Sequence, residues 1–371
     1  MILKSESVKL NAKIGDVRLA SAKVHLLRIP LRHPFVISLG AQHDYMGTIV
    51  ELESGEHTGY GEGSTIPQIT GESPEGVAAT AKWILNALAG RTFGGLEDFS
   101  AFVDAAIHAN PTAKSAIDIA VHDLLGKTWN LHVIQMLGGR FADLPTSLTI
   151  GLVPVEESLR QLGELQAEKC QIIKVKVGGN VEDDIARVRA VVEHLTTERF
   201  YVDANQGYSL RDALRLSPVL VECGALFFEQ PLGRHAFDDL HALRKTSGIP
   251  IMLDESISSP RDVVEAARRE AADYVNVKLT KSGGIRNAMK TLITAQAYGI
   301  EAMVGCMVEG KLSTAAGLGV ASSVGNVKFT DLDGYTSMVT QPFEGGLTYK
   351  DGINRPVQGV GMAVEKVPAN W

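Results

Sequence analysis

The sequence predicts an α/β protein in which a (β/α)8-type, TIM-like barrel is covered by an α+β capping domain. From about residue 146, eight short apolar runs recur, and their starting points lie 23–28 residues apart. That spacing leaves room for one strand, one helix and two short loops. Segments between the runs, such as VEDDIARVRAVVEHL, repeat apolar residues at helical spacing. Eight such units predict a parallel barrel.

The predicted strands of the barrel all come from this second part of the chain. They are SLTIGL (147–152), IIKVKVG (172–178), FYVDAN (200–205), LFFEQP (226–231), IMLDES (251–256), YVNVKL (274–279), EAMVGC (301–306) and KFTDLDG (328–334).

Before the barrel, the sequence predicts an antiparallel α+β region. VHLLRIPL (24–31) and GTIVELES (47–54) alternate apolar and polar residues as strands do. Residues 33–46 and the glycine-rich stretch 59–74 are predicted loops, and helices are predicted from about Pro74 and over 113–127. We expect a capping domain of residues 1–140, completed by residues 340–371, and a barrel of residues 141–339.

Composition limits the class of protein. The 371 residues suit two domains, and the formal charge of −7 argues against nucleic acid or an anionic membrane as the main partner. No apolar stretch is long enough to span a bilayer, and the first twenty residues lack the apolar core of a signal peptide. Three scattered cysteines, Cys170, Cys223 and Cys306, favour a reducing compartment. We therefore expect a cytoplasmic protein.

Charged and polar residues stand at the carboxyl ends of the predicted strands, where such barrels place their active sites. In chain order they are Lys174 and Lys176, Asp203 and Asn205, Glu229, Asp254 and Glu255, Lys278, Cys306, and Asp331 and Asp333. One strand-end carboxylate is usually a helix cap or a loop ion pair. Their occurrence in phase on successive strands predicts a site instead.

Three consecutive strands supply Asp203, Glu229 and Asp254. Ligation by carboxylate oxygens suits a hard cation, so the sequence predicts a Mg²⁺ site. The alternative is three separate salt bridges with neighbouring lysines.

Two lysines are expected to face each other across the barrel mouth. Lys176 lies on the second strand and Lys278 on the sixth, and these strands are opposite in a ring of eight. A substrate carboxylate on the metal would place its α-carbon between the two amines. One lysine could then remove the proton and the other return it to the opposite face, through a metal-stabilised enolate. Lys174 is predicted as an electrophilic partner of the substrate carboxylate, and Lys281 as an amine at the solvent-exposed rim.

These motifs together resemble the enolase superfamily. The resemblance rests on the KxK strand at 174–176, DANQGY (203–208), EQP (229–231), DES (254–256) and KLTKSGG (278–284). PF at 34–35, YGEG at 60–63 and TGE at 70–72 also fit. The lysine on the sixth strand indicates the muconate lactonizing enzyme subgroup, since the mandelate racemase subgroup carries a histidine where Cys306 stands.

Within that subgroup the DLD motif, Asp331 and Asp333, resembles the DxD of dipeptide epimerases. The resemblance implies a Mg²⁺-dependent epimerase of L-Ala-Xaa dipeptides, in which both aspartates bind the α-ammonium of the substrate. It also implies a substrate-binding position at Thr149, and Asn205, at the end of the third strand, is predicted to bind the substrate as well. A simpler alternative is that the aspartates pair with Lys281 or Lys328.

The resemblance further implies that loops of the capping domain cover the barrel mouth and select the substrate side chain. The expected covering loops are 35–46 and 64–72. Epimerases of Ala-Glu can use an arginine in the first loop, but FVISLGAQHDYM contains neither Arg nor Lys, and Gly40 stands about where that arginine would be. A small or apolar second residue is the expectation, although His43 could replace the arginine. Glu309 and Lys311 are further candidates for substrate contact.

Other functions stay open at this stage. A muconate-type cycloisomerase, an o-succinylbenzoate synthase or an N-succinylamino acid racemase could use the same barrel without an ammonium site. A non-catalytic, metal-dependent scaffold is a third possibility, but none of the catalytic residues is missing. We expect a homo-oligomer. The identity of the second residue of the dipeptide, the pathway, and the lysine that serves each stereoisomer are not determined by the sequence.

Overall fold

The computed structural model describes all 371 residues, Met1–Trp371. The N-terminal part is built on an antiparallel sheet whose strands lie in the order β4-β3-β2-β1, with a short fifth strand parallel to β1 at the edge. These strands are β1 (Ile2–Ile14), β2 (Val17–Ile37), β3 (Gly40–Ser54), β4 (His57–Ser64) and β5 (Thr92–Phe93).

Five helices accompany this sheet. They are α1 (Pro67–Thr70), α2 (Pro74–Leu88), α3 (Leu96–Ala106), α4 (Pro111–Trp129) and α5 (Val133–Met136). The two helices predicted from the sequence correspond to α2 and α4. Ser73 begins α2 by accepting a hydrogen bond from the backbone of Gly76, which is the usual role of a serine at this position.

The sequence predicts two loops in this part of the chain, and both predictions are wrong. Residues 33–46 mostly extend β2 and β3 into one long hairpin, in which Phe35 pairs with Gln42 and Ile37 with Gly40. The stretch 59–74 contains most of β4 and all of α1. The strand β1 and the helix α3 were not predicted. The Gly, Gln and His residues of the first stretch, and the prolines and most glycines of the second, occur in regular structure here.

The glycines of β4 are needed for packing against α4. A Cβ added at Gly59, Gly61 or Gly63 would lie 2.4, 1.8 or 2.5 Å from a backbone oxygen of α4. Those oxygens belong to Ala120, Ala116 and Thr112 respectively. Every second residue of the strand therefore faces every fourth residue of the helix. The strand and the helix can approach this closely only because Gly59, Gly61 and Gly63 carry no side chains on the face of β4 that meets α4.

The second part of the chain is a parallel barrel, as predicted. Its strands are β7 (Ser147–Ile150), β8 (Ile172–Lys176), β9 (Arg199–Asp203), β10 (Phe228–Glu229), β11 (Ile251–Leu253), β12 (Tyr274–Lys278), β13 (Glu301–Gly305) and β14 (Val327–Asp331), preceded by the short β6 (Leu144–Pro145). Each predicted run corresponds to one strand, with β9 and β14 beginning one residue earlier than predicted, and the strands follow one another in chain order around the sheet. A single parallel bridge, Thr146 with Thr330, joins the last strand to the start of the first.

At least one helix follows each barrel strand from β7 to β13. These helices are α6 (Val155–Ala167), α7 (Val181–Glu193), α8 (Leu210–Glu222), α9 (Phe237–Thr246), α10 (Pro260–Arg268), α11 (Leu279–Ser282), α12 (Ile285–Ala297) and α13 (Lys311–Ala321). Asn180 and Ser209 cap the first turns of α7 and α8 through their side chains. The largest hydrophobic cluster, of 62 buried residues, lies mainly in this barrel, so it provides a rigid base for the strand ends.

The chain ends in a segment of short strands, β15 (Phe343–Gly345), β16 (Leu347–Lys350), β17 (Ile353–Pro356) and β18 (Val364–Lys366). It contacts both parts of the protein: β17 pairs with β6, and Lys366 forms an ion pair of 2.7 Å with Glu51 of β3. The domain boundaries given above therefore stay a prediction. No helix is both long enough and apolar enough to cross a membrane.

Glu62 of β4 connects the N-terminal sheet to the barrel. Its buried carboxylate accepts hydrogen bonds from the backbone of Gly310 and Ser313, at the start of α13, and from the hydroxyl of Tyr45. Gly310 has no side chain to cap α13, so Glu62 supplies the cap from the other part of the molecule. Burial raises the pKa of Glu62 to about 7, although these hydrogen bonds act to lower it.

We predict that Gly61→Ala destabilises the protein by about 1–3 kcal/mol or more, the usual cost of overpacking. The new Cβ would lie 1.8 Å from the backbone oxygen of Ala116, which cannot move without displacing α4. The measurement is urea unfolding followed by circular dichroism. Gly163→Ala in α6 is the matched control, because a Cβ there meets nothing within 4 Å. An unchanged midpoint for Gly61→Ala would contradict the close approach.

Candidate active site

The carboxyl ends of the barrel strands form a buried cluster of lysines and carboxylates. Lys174 and Lys176 are both on β8, two residues apart, so they point to the same side of the strand, into the barrel. Lys278 ends β12, which is four strands from β8 in the sheet order. Lys174, Lys176 and Lys278 line one cavity of about 160 Å³, together with Asn205 and Cys306. The structure thus brings the predicted lysines together.

Asp203, Glu229 and Asp254 form a compact group of possible metal ligands. One oxygen from each lies within 4.8 Å of the others, and all three residues are buried. Glu229 Oε2 and Asp254 Oδ2 accept no well-aligned hydrogen bond, although lysine nitrogens lie 3.1 and 2.8 Å from them. Buried carboxylate oxygens with spare acceptor capacity are what a hard divalent cation requires. The group therefore fits Mg²⁺.

The three carboxylates differ in their electrostatic surroundings. For Asp203, burial is outweighed by Lys174 and Lys176, which lower its pKa to about 2. For Asp254, Lys278 and Lys281 likewise outweigh burial and hold the pKa well below its usual range. For Glu229, burial and the charge of Asp203 raise the pKa to about 8.

Lys174 is surrounded by carboxylates. Its Nζ lies 2.9 Å from Asp203, 3.1 Å from Glu229 and 2.8 Å from Asp331. Burial acts to lower the pKa of Lys174, but the three carboxylates outweigh it and raise the pKa well above its usual value. A permanently charged Lys174 suits the predicted electrophilic role and not that of a base.

Lys176 and Asn205 are hydrogen-bonded to each other. The Nζ of Lys176 donates to Asn205 Oδ1 at 2.8 Å and to Asp203 Oδ2 at 2.7 Å. The ring of Phe35, from the N-terminal hairpin, lies 5.5 Å from this nitrogen. Asn205 has a positive φ of 42° and donates its own backbone N–H to Asp203, so the turn after β9 fixes both partners of Lys176.

Lys281 is not an exposed rim residue, and that prediction is wrong. It is 4 % exposed, and its Nζ donates hydrogen bonds to Asp254 Oδ1 and to the backbone oxygens of Asp254 and Asn276. Its side chain turns inward because the short helix α11 follows directly after Lys278. Lys278 and Lys281 are three residues apart, and both contact the carboxylate of Asp254.

Asp331 and Asp333, of the DLD motif, lie next to the seam between β14 and β7. Asp331 accepts hydrogen bonds from Lys174 and from Ser147, and Asp333 accepts one of 3.1 Å from Thr149. Neither forms an ion pair with Lys281 or Lys328. Burial and the charge of Asp331 raise the pKa of Asp333 to about 7. Thr149, Asp331 and Asp333 all line the cavity.

Glu309 is not brought into the cavity. Its buried carboxylate accepts hydrogen bonds from Thr280 and Ser313 at 3.0 and 2.7 Å, and from the backbone of Met307. Neither Glu309 nor Lys311 is among the residues that line the cavity. The loop after β13 contributes Met307 and Val308 to the lining instead.

The N-terminal hairpin and α1 cover the cavity. Phe35, Ile37 and Ile66 line it and also line a second cavity of about 310 Å³, beneath the hairpin tip. The cover is attached to the barrel: Ser38 donates to the backbone oxygen of Asn205 at 2.9 Å, and Arg234 donates to the backbone of α1. The predicted covering segments are therefore in the predicted place, although they are a hairpin and a short helix and not loops.

Several residues of the site were not predicted. Asn276 donates to Glu229 Oε1 at 2.7 Å, and Gln230 accepts from the backbone of Asp254 and Ser256. Gln230 lies in the EQP motif, which carries the family resemblance but does not itself indicate this hydrogen-bonding role. Asn276 precedes Lys278 by two residues in YVNVK, and this alternation on a buried strand could have indicated that it points into the barrel.

Comparison with known proteins gives two family matches that together cover most of the chain. Residues 20–138 match the mandelate racemase / muconate lactonizing enzyme N-terminal domain, and residues 157–368 match the enolase C-terminal domain-like family.

Individual relatives cover almost the whole chain. The chain is 35% identical over 325 residues to an N-succinyl-L-Arg/Lys racemase of Bacillus cereus. The aligned region covers 86% of this chain and 88% of the relative. The chain is 34% identical over 352 residues to an L-Lys-D/L-Arg epimerase of Methylococcus capsulatus, with 94% and 99% covered. A crystal structure of a dipeptide epimerase from Cytophaga hutchinsonii, complexed with Mg and the dipeptide D-Ala-L-Val, superimposes with a TM-score of 0.90 at 28% identity, covering 94% and 95% of the two chains.

We predict that Mg²⁺ binding releases a proton and strengthens as the pH rises from 6 to 8. Glu229, whose pKa lies at about 8, must be deprotonated to act as a ligand, so below that value each pH unit lowers the affinity by up to about tenfold. The measurement is calorimetric titration of chelator-treated protein in buffers of different ionisation enthalpy. Glu229→Gln should weaken binding by more than about 100-fold and remove most of this pH dependence. Equal affinity at pH 6 and pH 8 would contradict the assignment.

Proposed function

Because the chain belongs to the mandelate racemase / muconate lactonizing enzyme family of the enolase superfamily, we propose that it is a Mg²⁺-dependent dipeptide epimerase. It inverts an α-carbon of a dipeptide by two-base 1,1-proton transfer. The observation that carries this proposal is the pair of lysines, Lys176 and Lys278, on opposite strands of the barrel and beside three carboxylates.

Each group has a proposed task. Asp203, Glu229 and Asp254 would hold Mg²⁺, which supplies positive charge to the substrate carboxylate and so favours loss of the α-proton. Lys174 adds a fixed positive charge at the same place. Lys176 takes the proton on one face, and Lys278 on the other.

The seam of the barrel provides the site for the substrate amine. Asp331 and Asp333 place two carboxylates within the same cavity as the lysines. A primary ammonium is well matched to two carboxylates, whereas a second carboxylate in the substrate, as in muconate or an N-succinyl group, would be repelled. This favours a dipeptide over the N-succinylamino acid that the Bacillus cereus relative is named for. Asn205 orients Lys176, and Thr149 orients Asp333.

The cover favours an apolar second residue in the dipeptide. The cavity beneath the hairpin is lined by Phe35, Ile37, Leu39, Met46 and Ile66 among others, and no Lys or Arg lines it. A buried carboxylate there would lack a charged partner and would be costly. His43, Gln42 and Asp44 are polar residues of the same cavity, and Asp44 is already paired with Arg28 at 2.6 Å, so hydrogen-bonding side chains are a weaker second choice.

Two further proposals concern the setting of the enzyme. We propose a cytoplasmic location, supported by the free state of Cys170, Cys223 and Cys306. We also propose a homo-oligomer acting on a small-molecule dipeptide, without nucleic acid or membrane as a partner.

The proposed reaction is tested by proton exchange in D₂O. With Mg²⁺ present, L-Ala-L-Xaa dipeptides with apolar Xaa should incorporate deuterium at one α-carbon and epimerise there. Lys278→Ala should lose exchange from one diastereomer by about 10²–10⁴-fold while keeping exchange from the other, and Lys176→Ala should do the reverse. Lys328→Ala, on the exposed end of β14, is the control. A library of dipeptides and N-succinylamino acids that shows no exchange would contradict the proposal.

The preference for an apolar second residue is tested by placing a cation in the cover. Leu39→Arg should raise kcat/KM for dipeptides ending in Glu relative to those ending in Leu by about tenfold, the effect expected of one new charge-assisted hydrogen bond. Leu39→Gln, which introduces a polar but uncharged side chain, should leave this ratio of kcat/KM unchanged. If both variants change the ratio equally, charge in this cavity does not select the substrate.

A further inference from the structure

Two lysines of one segment, KLTKSGG, contact the same carboxylate. Lys278 Nζ lies 2.8 Å from Asp254 Oδ2, and Lys281 Nζ is hydrogen-bonded to Asp254 Oδ1. Both lysines are 4 % exposed. The proposed reaction needs only Lys278, so the second buried ammonium requires its own explanation.

Lys281 is fully engaged by protein acceptors. Its three N–H groups face three oxygens: Asp254 Oδ1, the backbone oxygen of Asp254, and the backbone oxygen of Asn276 at 3.3 Å. These acceptors follow β11 and lie within β12, so the ammonium links two neighbouring strand ends. Lys281 does not line the cavity that contains Lys176 and Lys278; it lines a separate one with Thr70 and Lys114.

Lys278 is held quite differently. Its contact with Asp254 Oδ2 is an ion pair, and that oxygen accepts no well-aligned hydrogen bond. Lys278 therefore has one protein partner where Lys281 has three acceptors, and it lines the cavity. The two oxygens of Asp254 thus have separate partners, Lys281 at Oδ1 and Lys278 at Oδ2.

We infer that Lys281 is a positioning residue for Asp254. By holding Oδ1 and the backbone of Asp254, it directs Oδ2 toward Asp203 and Glu229, and it leaves Lys278 free for proton transfer. This inference rests on the proposed function for the role of Lys278, but the orientation of Asp254 does not depend on which substrate is used.

The competing explanation is that Lys281 only balances charge, and the two explanations predict opposite signs for Mg²⁺ affinity. If Lys281 were a balancing cation, its removal would reduce repulsion of Mg²⁺ and strengthen binding. If it orients Asp254, its removal weakens binding, since loss of an outer partner of a metal ligand typically costs about 10–100-fold.

The experiment titrates Mg²⁺ into the chelator-treated, full-length protein by calorimetry, with no substrate. Lys281→Met is expected to weaken binding by about 10–100-fold. Lys278→Met is the matched control, because it makes the same change beside the same carboxylate, and it should leave binding equal or tighter. Equal or tighter binding by a folded Lys281→Met variant would overturn the inference. If that variant does not fold, Lys281→Gln, which keeps two N–H donors, is judged by the same comparison.

Exchange in D₂O provides a second readout. Asp254 serves both faces of the substrate, so Lys281→Met should slow exchange from both diastereomers by a similar factor, whereas Lys278→Met should abolish only one. Loss confined to one diastereomer in Lys281→Met would show that Lys281 transfers protons and would overturn the positioning role. If the unaltered protein exchanges no dipeptide, the proposed function fails, and the calorimetric comparison still decides the role of Lys281.

Discussion

Charge compensation inside the barrel mouth is the constraint on which the rest of the site depends. Four lysines and four carboxylates are buried there in mutual contact: Lys174, Lys176, Lys278 and Lys281 with Asp203, Glu229, Asp254 and Asp331. Each ion would cost several kcal/mol in isolation, and removing one partner exposes that cost. The barrel can contain them because each strand end delivers its charge next to an opposite one, so the chemistry and the stability of the mouth are set by the same contacts.

A small number of side chains positions the cover over the barrel. The glycine-faced strand β4 lets α4 approach closely, and Glu62 from that strand caps α13 of the barrel. The hairpin that carries Phe35 is thereby attached to the barrel at its base, and Ser38 attaches its tip. The cover is fixed in the fold at both ends, and the lysines beneath it are at most 4 % exposed, which strengthens the electrostatic contacts among the buried charges.

The barrel and its charged strand ends could be predicted because they depend on regular features. A repeated spacing gives the eight units, and alternation on a buried strand gives the direction of Lys174 and Lys176. The hairpin at 33–46 and the strand at 59–64 could not, since glycine in a sequence signals a turn equally well as a close approach between backbones. The prediction for Lys281 is wrong for a related reason. The direction of its side chain is set by the turn of α11, which no periodic pattern of the sequence predicts.

The barrel closes through a single bridge, between Thr146 and Thr330, and Asp331, Asp333 and Thr149 stand beside it. Proton-transfer and metal-binding residues occupy instead the uninterrupted arc from β8 to β12. Asp331 is bound to this arc through Lys174, whereas the side chains of Asp333 and Thr149 are hydrogen-bonded to each other. A designer who wishes to change the substrate but keep the reaction would therefore begin with Asp333 and Thr149, whose side chains are not hydrogen-bonded to the lysines of the arc.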